Sequence, residues 1–362
     1  MAEKKDDLER LFEPQSVAVI GASRKKGKIG NIILNNIIES GFEGKVYPVN
    51  PKGGEISGKT VIESIEDLPK EIDLAVIVLP AKLVKDTIHK LGEQGIKHSI
   101  VISSGFSEIG NVDEEEALVE EAKKYGMRVL GPNVFGLFSA KADLNATFGP
   151  SNIAKGKIAL ISQSGALGIA MIGKTASQYL GLSAIVSVGN KADIDDMDLI
   201  DHLADDSSTD VIMIYMEGLD NGREFMEKVE EMPSDKAVVV IKAGRSEKGA
   251  TAVASHTGSL AGADKIFSAA FEQVGVLRAE SLREAFNWSR AFASTPLPSN
   301  DKTVVVTNGG GIGVLSADAA EIYDVELLDD QTFLKETFED AIPDFGSTKN
   351  PIDITGQAGK EE

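Results

Sequence analysis

The sequence predicts an α/β protein wound from parallel sheets, and three observations predict it. Short apolar runs recur, among them Ser16–Ile20, Asp73–Leu79, Lys157–Ile161 and Asp210–Tyr215. They are too short for helices and lack polar alternation, as strands buried on both faces do. Nearly every run ends in a Gly, Ser, Asn or Pro turn, and a helical pattern follows the turn, so strands and helices alternate. The 36 glycines and single Trp among 362 residues suit a chain with many tight strand-to-helix turns.

Composition excludes several function classes. A length of 362 residues with 42% hydrophobic side chains supports two or three domains. The net charge of −20 argues against nucleic acid, whose binding rests on clustered Lys and Arg. With no cysteine, disulfides, thiolate catalysis and cysteine metal sites are out. No run approaches the roughly 18 apolar residues of a membrane helix, and Met1–Asp7 lacks the apolar core of a signal peptide. A cytoplasmic protein without a membrane partner is expected.

The first domain is expected over residues 1–135. Strand Ser16–Ile20 runs through Gly21, Ala22 and Ser23 to Lys28 and Gly30, then into a helix over Asn31–Ser40. A strand, a glycine-rich turn and a helix N-terminus form a phosphate site, although the spacing is not G-x-G-x-x-G. The second strand, Lys45–Asn50, ends in Asn50-Pro-Lys52, where an NAD site would carry an acid for the ribose hydroxyls. A lysine there, with Arg24, Lys25, Lys26 and Lys28, suits a ribose phosphate, as in coenzyme A or NADP. Further strands end at Pro80, at Ser103-Ser104-Gly105 and at Gly131-Pro-Asn133, positions where a doubly wound sheet binds ligands.

A second domain is expected over 151–295. Strand Lys157–Ile161 turns through Ser162-Gln-Ser164-Gly165 into a helix over Ala166–Leu180, giving hydroxyls at a helix N-terminus. Asp193, Asp195, Asp196 and Asp198 precede another helix, where acids favour the dipole and cap the first turn. Strand Asp210–Tyr215 ends at Glu217, a carboxylate able to orient a histidine. The next strand, Ala237–Ile241, leads to Lys242–Gly262, rich in small residues and free of aromatics, which reads as a loop outside regular structure. It carries His256, one of four histidines in the chain, followed by Gly258 and Ser259. Helices over 263–274 and 281–294 follow. After a Pro/Ser linker, strand Thr303–Thr307, the turn Asn308–Gly313 and a helix over 314–322 open a third unit, 302–362, which reads as part of a longer domain.

Seven motifs occur in family order: Val-Ile-Gly-Ala-Ser (19–23), Tyr-Pro-Val-Asn-Pro-Lys (47–52), Gly-Pro-Asn (131–133), Ser-Gln-Ser-Gly (162–165), Ser-Val-Gly-Asn-Lys-Ala-Asp (187–193), Tyr-Met-Glu-Gly (215–218) and Ser-His-Thr-Gly-Ser (255–259). With them the chain resembles the α-type half of an ADP-forming acyl-CoA (acetyl-CoA) synthetase, of the succinyl-CoA synthetase superfamily. The resemblance implies a Rossmann-like domain binding coenzyme A at Gly21, Ala22, Ser23, Lys28, Gly30, Asn50, Lys52, Pro80, Ser103, Ser104, Gly105 and Asn133. It implies a flavodoxin-like domain and the start of a partial third α/β domain. His256 becomes the transiently phosphorylated residue, held by Glu217, with Ser162, Ser164, Gly165, Gly258 and Ser259 on the phosphate. Acyl-CoA, phosphate and ADP would give the acid, CoA and ATP through an acyl phosphate.

No stretch reads as an ATP-grasp nucleotide site. The resemblance therefore implies an ATP-grasp β-type partner, in an α2β2 assembly, or a further C-terminal portion, that binds ADP or ATP with Mg²⁺. Two other readings fit the scaffold: a CoA-binding regulatory protein or protein acyltransferase, and an NADP-dependent oxidoreductase. Both leave His256 with Glu217 unexplained.

Overall fold

The computed structural model describes residues 8–257, 264–296, 298, 300–343 and 346–356. They divide into two compact units, up to Thr295 and from Pro296.

The larger unit holds two sheets of the same winding. After a short helix α1 (Glu9–Phe12), β1 (Ser16–Ile20) leads into α2 (Ile29–Glu39), and β2 (Lys45–Val49) precedes a small ribbon of β3 (Glu55–Ile56) and β4 (Lys59–Thr60). Strand β5 (Leu74–Ile77) leads to α3 (Val84–Glu93), β6 (His98–Val101) to α4 (Val112–Lys124), and β7 (Arg128–Leu130) closes the sheet. All five main strands are parallel, in the order β2-β1-β5-β6-β7. Every residue of β1, β5 and β6 is buried, Ser16, His98 and Ser99 included, as expected of strands covered by helices on both faces.

The second sheet repeats that order. Strand β8 (Gly136–Ser139) and β9 (Leu144–Thr147) form a hairpin, followed by β10 (Lys155–Ser162), α5 (Gly165–Ser177), β11 (Leu182–Ser187), α6 (Asp196–Asp205) and β12 (Val211–Met216). Then come α7 (Gly222–Glu230), β13 (Ala237–Lys242), α8 (Glu247–Thr257), α9 (Asp264–Gln273), β14 (Leu277–Arg278) and α10 (Leu282–Ser294). The sheet runs β14-β13-β12-β10-β11-β8-β9, with β10 to β14 parallel and the hairpin antiparallel on β11.

The sequence reading places no element over 136–150, yet the β8–β9 hairpin there ties the two sheets together. Asn36 of α2 donates to the Thr147 and Gly149 carbonyls (2.8 and 3.0 Å), and Ser40 donates to Asp143 O (2.6 Å). Val17 and Val76 of the first sheet share one apolar core with Leu137, Ile161 and Ile212 of the second.

A second difference concerns Lys242–Gly262, expected as a loop. Residues Glu247–Thr257 are helical. Glu247, Lys248 and three alanines among the eleven residues of this helix are good helix formers. The Ser246 hydroxyl oxygen caps its start, accepting from Gly249 N at 3.1 Å. Small residues alone do not make a loop, since alanine favours helix.

The smaller unit pairs β15 (Val306–Thr307) with the parallel β16 (Ile352–Asp353), with α11 (Gly310–Ile322) and α12 (Gln331–Phe338) between them in sequence. Helix α11 begins at Gly310, so most of the expected glycine turn is helix. Asn350 cross-links this unit, donating to Thr303 O (2.8 Å) and accepting from Val305 N (3.0 Å).

Candidate functional site

In each sheet of the larger unit the winding reverses at the first parallel strand, leaving a crevice at the strand ends. In the first sheet this lies between β1 and β5. Gly21 follows β1 with φ +92°, and its N–H donates to Val49 O at 3.0 Å. A Cβ on Gly30 would lie 2.2 Å from Gly21 O, so the start of α2 rests directly on the turn. Two glycines thus let a helix N-terminus, with its unpaired N–H groups, reach the crevice floor.

A cleft of about 700 Å³ opens there. Ten of the twelve expected cofactor residues line it: Gly21, Ala22, Ser23, Lys28, Gly30, Asn50, Lys52, Pro80, Ser103 and Ser104. Gly105 and Asn133 do not. The Gly105 N–H is taken by Glu108 Oε1, and Asn133 packs into the neighbouring seam, its Nδ2 donating to Asn190 Oδ1 at 3.2 Å. Asn50 braces the cleft rather than reaching across it: its Nδ2 donates to Ala22 O (2.8 Å) and its Oδ1 accepts from Lys52 N (3.0 Å). Lys25, Lys28 and Lys52 bring positive charge to the cleft of a chain with net charge −20. Such a cleft favours an anionic, phosphate-bearing ligand.

The matching crevice of the second sheet lies between β10 and β12. Ser164 caps α5, its hydroxyl oxygen accepting from Leu167 N at 3.4 Å, and Gly165 opens the helix. Ser162 is fully buried and its hydroxyl donates to Ser164 O (2.8 Å), so it braces the turn. Glu217 follows β12 and is 6% exposed. Its peptide N–H donates to Gln163 Oε1 at 2.7 Å, which places it beside the Ser164 turn. Burial first, then the charge and hydrogen bond of Glu217, push the Tyr215 phenol up to about 12. His256 belongs to the last turn of α8, the helix that follows β13, and β13 is the strand next to β12. Its side chain, with Gly258 and Ser259, lies outside the described residues.

Sequence reasoning gave no role to several residues here. Lys242, the last residue of β13, is 3% exposed; its ammonium donates to Glu217 O (2.8 Å) and lies 4.6 Å from the Phe267 ring centre. Burial pushes its pKa down. Lys191 pairs with the fully buried Asp196 (3.0 Å). A lysine closing the apolar run Val238–Ile241 was the available signal. Of the acidic cluster, Asp195 and Asp198 form a capping box on α6: Asp195 accepts from Met197 N and Asp198 N (2.9 and 3.2 Å), and Asp198 accepts from Asp195 N (3.4 Å). Asp198 also pairs with Arg128 of β7 (2.7 Å), as does Asp193 (3.3 Å). Beside them Asn190 donates to Glu108 and Glu115 (2.7 and 2.6 Å), joining the two sheets' loops.

Three family models match: a CoA binding domain over residues 15–139, a succinyl-CoA ligase like flavodoxin domain over 155–292, and a ligase-CoA domain over 303–361. The chain is 56% identical to the α subunit of ADP-forming acetate–CoA ligase I of Pyrococcus furiosus, over 97% of this chain and 77% of that one. It is 40% identical to the ADP-forming 4-hydroxybutyrate–CoA ligase of Nitrosopumilus maritimus, over 96% of this chain and half of that one (50%). Among solved structures, it superposes with TM-score 0.92 and 48% identity on the acetyl-coenzyme A synthetase 1 of Candidatus Korarchaeum cryptofilum in complex with phosphate and ADP. That match covers 97% of this chain and 76% of the other.

Proposed function

The chain belongs to the ADP-forming acetate–CoA ligase family as an α-type subunit, and from that premise we propose that it is the CoA-binding, phosphohistidine-carrying half of an acyl-CoA synthetase acting on acetyl-CoA. The observation that carries the reading is the buried Glu217 at the second crevice, beside the Ser164-capped start of α5. Helix α8, which carries His256, leaves from the adjoining strand.

Coenzyme A occupies the first crevice, its phosphates against the start of α2, Lys28 and Lys52. A phosphate oxygen attacks the thioester carbonyl, the C–S bond breaks, and the thiolate takes the proton released from phosphate. An imidazole nitrogen of His256 then attacks phosphorus. The bond from phosphorus to the acyl oxygen breaks, and the carboxylate leaves. Phosphoryl transfer of this kind asks for positioning and charge stabilisation. The helix N-terminus at Ser164-Gly165 supplies donors for the phosphoryl oxygens, with Gly258 and Ser259 beside them, and Glu217 holds the imidazole. The phosphoryl group passes to ADP on an ATP-grasp β-type partner in an α2β2 assembly, where Mg²⁺ accompanies the nucleotide. We place the assembly in the cytoplasm; no described helix is long and apolar enough to cross a membrane.

The test mixes the chain with its β-type partner, Mg²⁺ and ATP, and maps acid-labile, base-stable phosphate by mass spectrometry. Label on His256 that is absent from His256→Ala and falls on the order of 10²-fold in Glu217→Gln is expected. An active partner with no label on the chain sinks the relay.

A further inference from the structure

Gln163 sits between the two serines of the Ser162–Ser164 turn, and its side chain spans the second crevice. Its backbone N–H donates to Tyr215 O at 3.2 Å, binding the end of β10 to the end of β12. Its Oε1 accepts from Glu217 N (2.7 Å) and Gly218 N (3.0 Å), while its Nε2 donates to Gly218 O (2.9 Å) and Asp196 Oδ2 (3.0 Å). All four hydrogen-bonding positions of the amide are used. The orientation is fixed, because a flipped amide would set its NH₂ against two N–H donors and its oxygen against a carboxylate and a carbonyl.

The acceptors are themselves held. Asp196 is fully buried and takes Lys191 Nζ at 3.0 Å; the same ammonium donates to Gly218 O at 3.1 Å. From the opposite strand Lys242 donates to Glu217 O. The peptides on both sides of Glu217 are therefore gripped from β10 and from β13, and the carboxylate inherits that precision. A residue that only sealed the strand end would not need four directional bonds aimed at two consecutive peptides.

We propose that Gln163 is a positioning residue for the phosphoryl-transfer step: its amide sets the backbone of Glu217–Gly218 and so the placement of the Glu217 carboxylate. The proposal rests on the functional reading above. The phosphoryl group is handled next to this turn, so misplacement acts on turnover rather than on coenzyme A, which binds in the other crevice.

The experiment uses the enzyme assembled with its partner, assayed with acetyl-CoA, phosphate and ADP. Gln163→Met removes all four bonds; turnover is expected to fall on the order of 10²-fold, as for a misplacement of about 1 Å. KM for acetyl-CoA should stay within about twofold, the signature of a lost transition-state interaction. Gln163→Glu keeps an acceptor for both N–H groups and, when protonated, a donor for Asp196 or Gly218 O. The groups around it are Asp196, Lys191, Glu217, Tyr215 and Lys242. The Asp196 charge favours its neutral form, and the two N–H donors and Lys191 its ionised one; its turnover should approach wild type below that new ionisation and fall as pH rises through it.

Unchanged turnover and His256 labelling in Gln163→Met overturn the proposal, as does a loss that appears in KM alone. If Gln163→Met does not fold, a pH profile of Gln163→Glu parallel to wild type overturns it. Failure of both variants to fold leaves Gln163 a purely structural part and does the same. Absence of His256 label in the wild type is a different result, and it removes the functional reading itself.

Discussion

Replacing Gly30 by alanine sets helix propensity against packing. Gly30 is the second residue of α2, and in a helix alanine is favoured over glycine by up to about 1 kcal/mol. Its Cβ, however, would lie 2.2 Å from Gly21 O, 3.1 Å from Gly21 C and 3.3 Å from Ala22 Cα. These are backbone atoms with no rotamer to change. Gly21 is held by its hydrogen bond to Val49 and cannot back away, since its own Cβ position is 2.3 Å from Val78 O. Relief requires the turn or the helix start to move by about 1 Å, and overpacking of that kind costs about 1–3 kcal/mol.

The net expectation is a loss of about 1–2 kcal/mol, with weaker coenzyme A binding because the same turn floors the cleft. Denaturant midpoints measure the first and titration calorimetry the second. Gly173→Ala in α5 is the control: a Cβ there meets nothing within 4 Å on an exposed helix face, so it should stabilise by about 0.5–1 kcal/mol. A Gly30→Ala midpoint that rises with that of the control would refute the packing reasoning.

Asn190→Ala should weaken the protein most at neutral pH. Burial works to raise the Glu108 carboxyl, but hydrogen bonds from Asn190 and from the Gly105 and Phe106 N–H groups outweigh it and hold the pKa below its ordinary value. A depressed carboxylate contributes stability that is present above its unfolded pKa and is lost as pH falls through the folded one. Removing Asn190 should cost on the order of 1 kcal/mol at neutral pH, and the deficit should shrink as pH falls through the folded pKa of Glu108; a denaturant midpoint equal to wild type at neutral pH would count against the seam. Lys28→Ala and Lys52→Ala should each weaken coenzyme A binding by about 1 kcal/mol at low salt, and less at high salt, where screening is strong. Equal losses at both salt concentrations would argue against a charge role.

What is local can be read from the residues alone. A buried parallel strand shows as an apolar run because helices cover both its faces, and a helix start at a crevice shows as Gly or Ser because the backbone must pass close. That is why β1, β10 and β12 with their turns, the basic character around Lys28 and Lys52, and the carboxylate of Glu217 were all legible. Tertiary structure decided what depends on partners far along the chain. The β8–β9 hairpin is a strand pair only because β11 and α2 offer it an edge and donors. Asp193, Asp195, Asp196 and Asp198 look like one capping cluster in sequence; Asp195 and Asp198 do cap α6, while Arg128 takes Asp193, and Lys191 and Gln163 take Asp196. Gln163 itself reads as a polar turn residue. Its four bonds exist because β10 and β12, some fifty residues apart, end side by side where the winding of the sheet reverses.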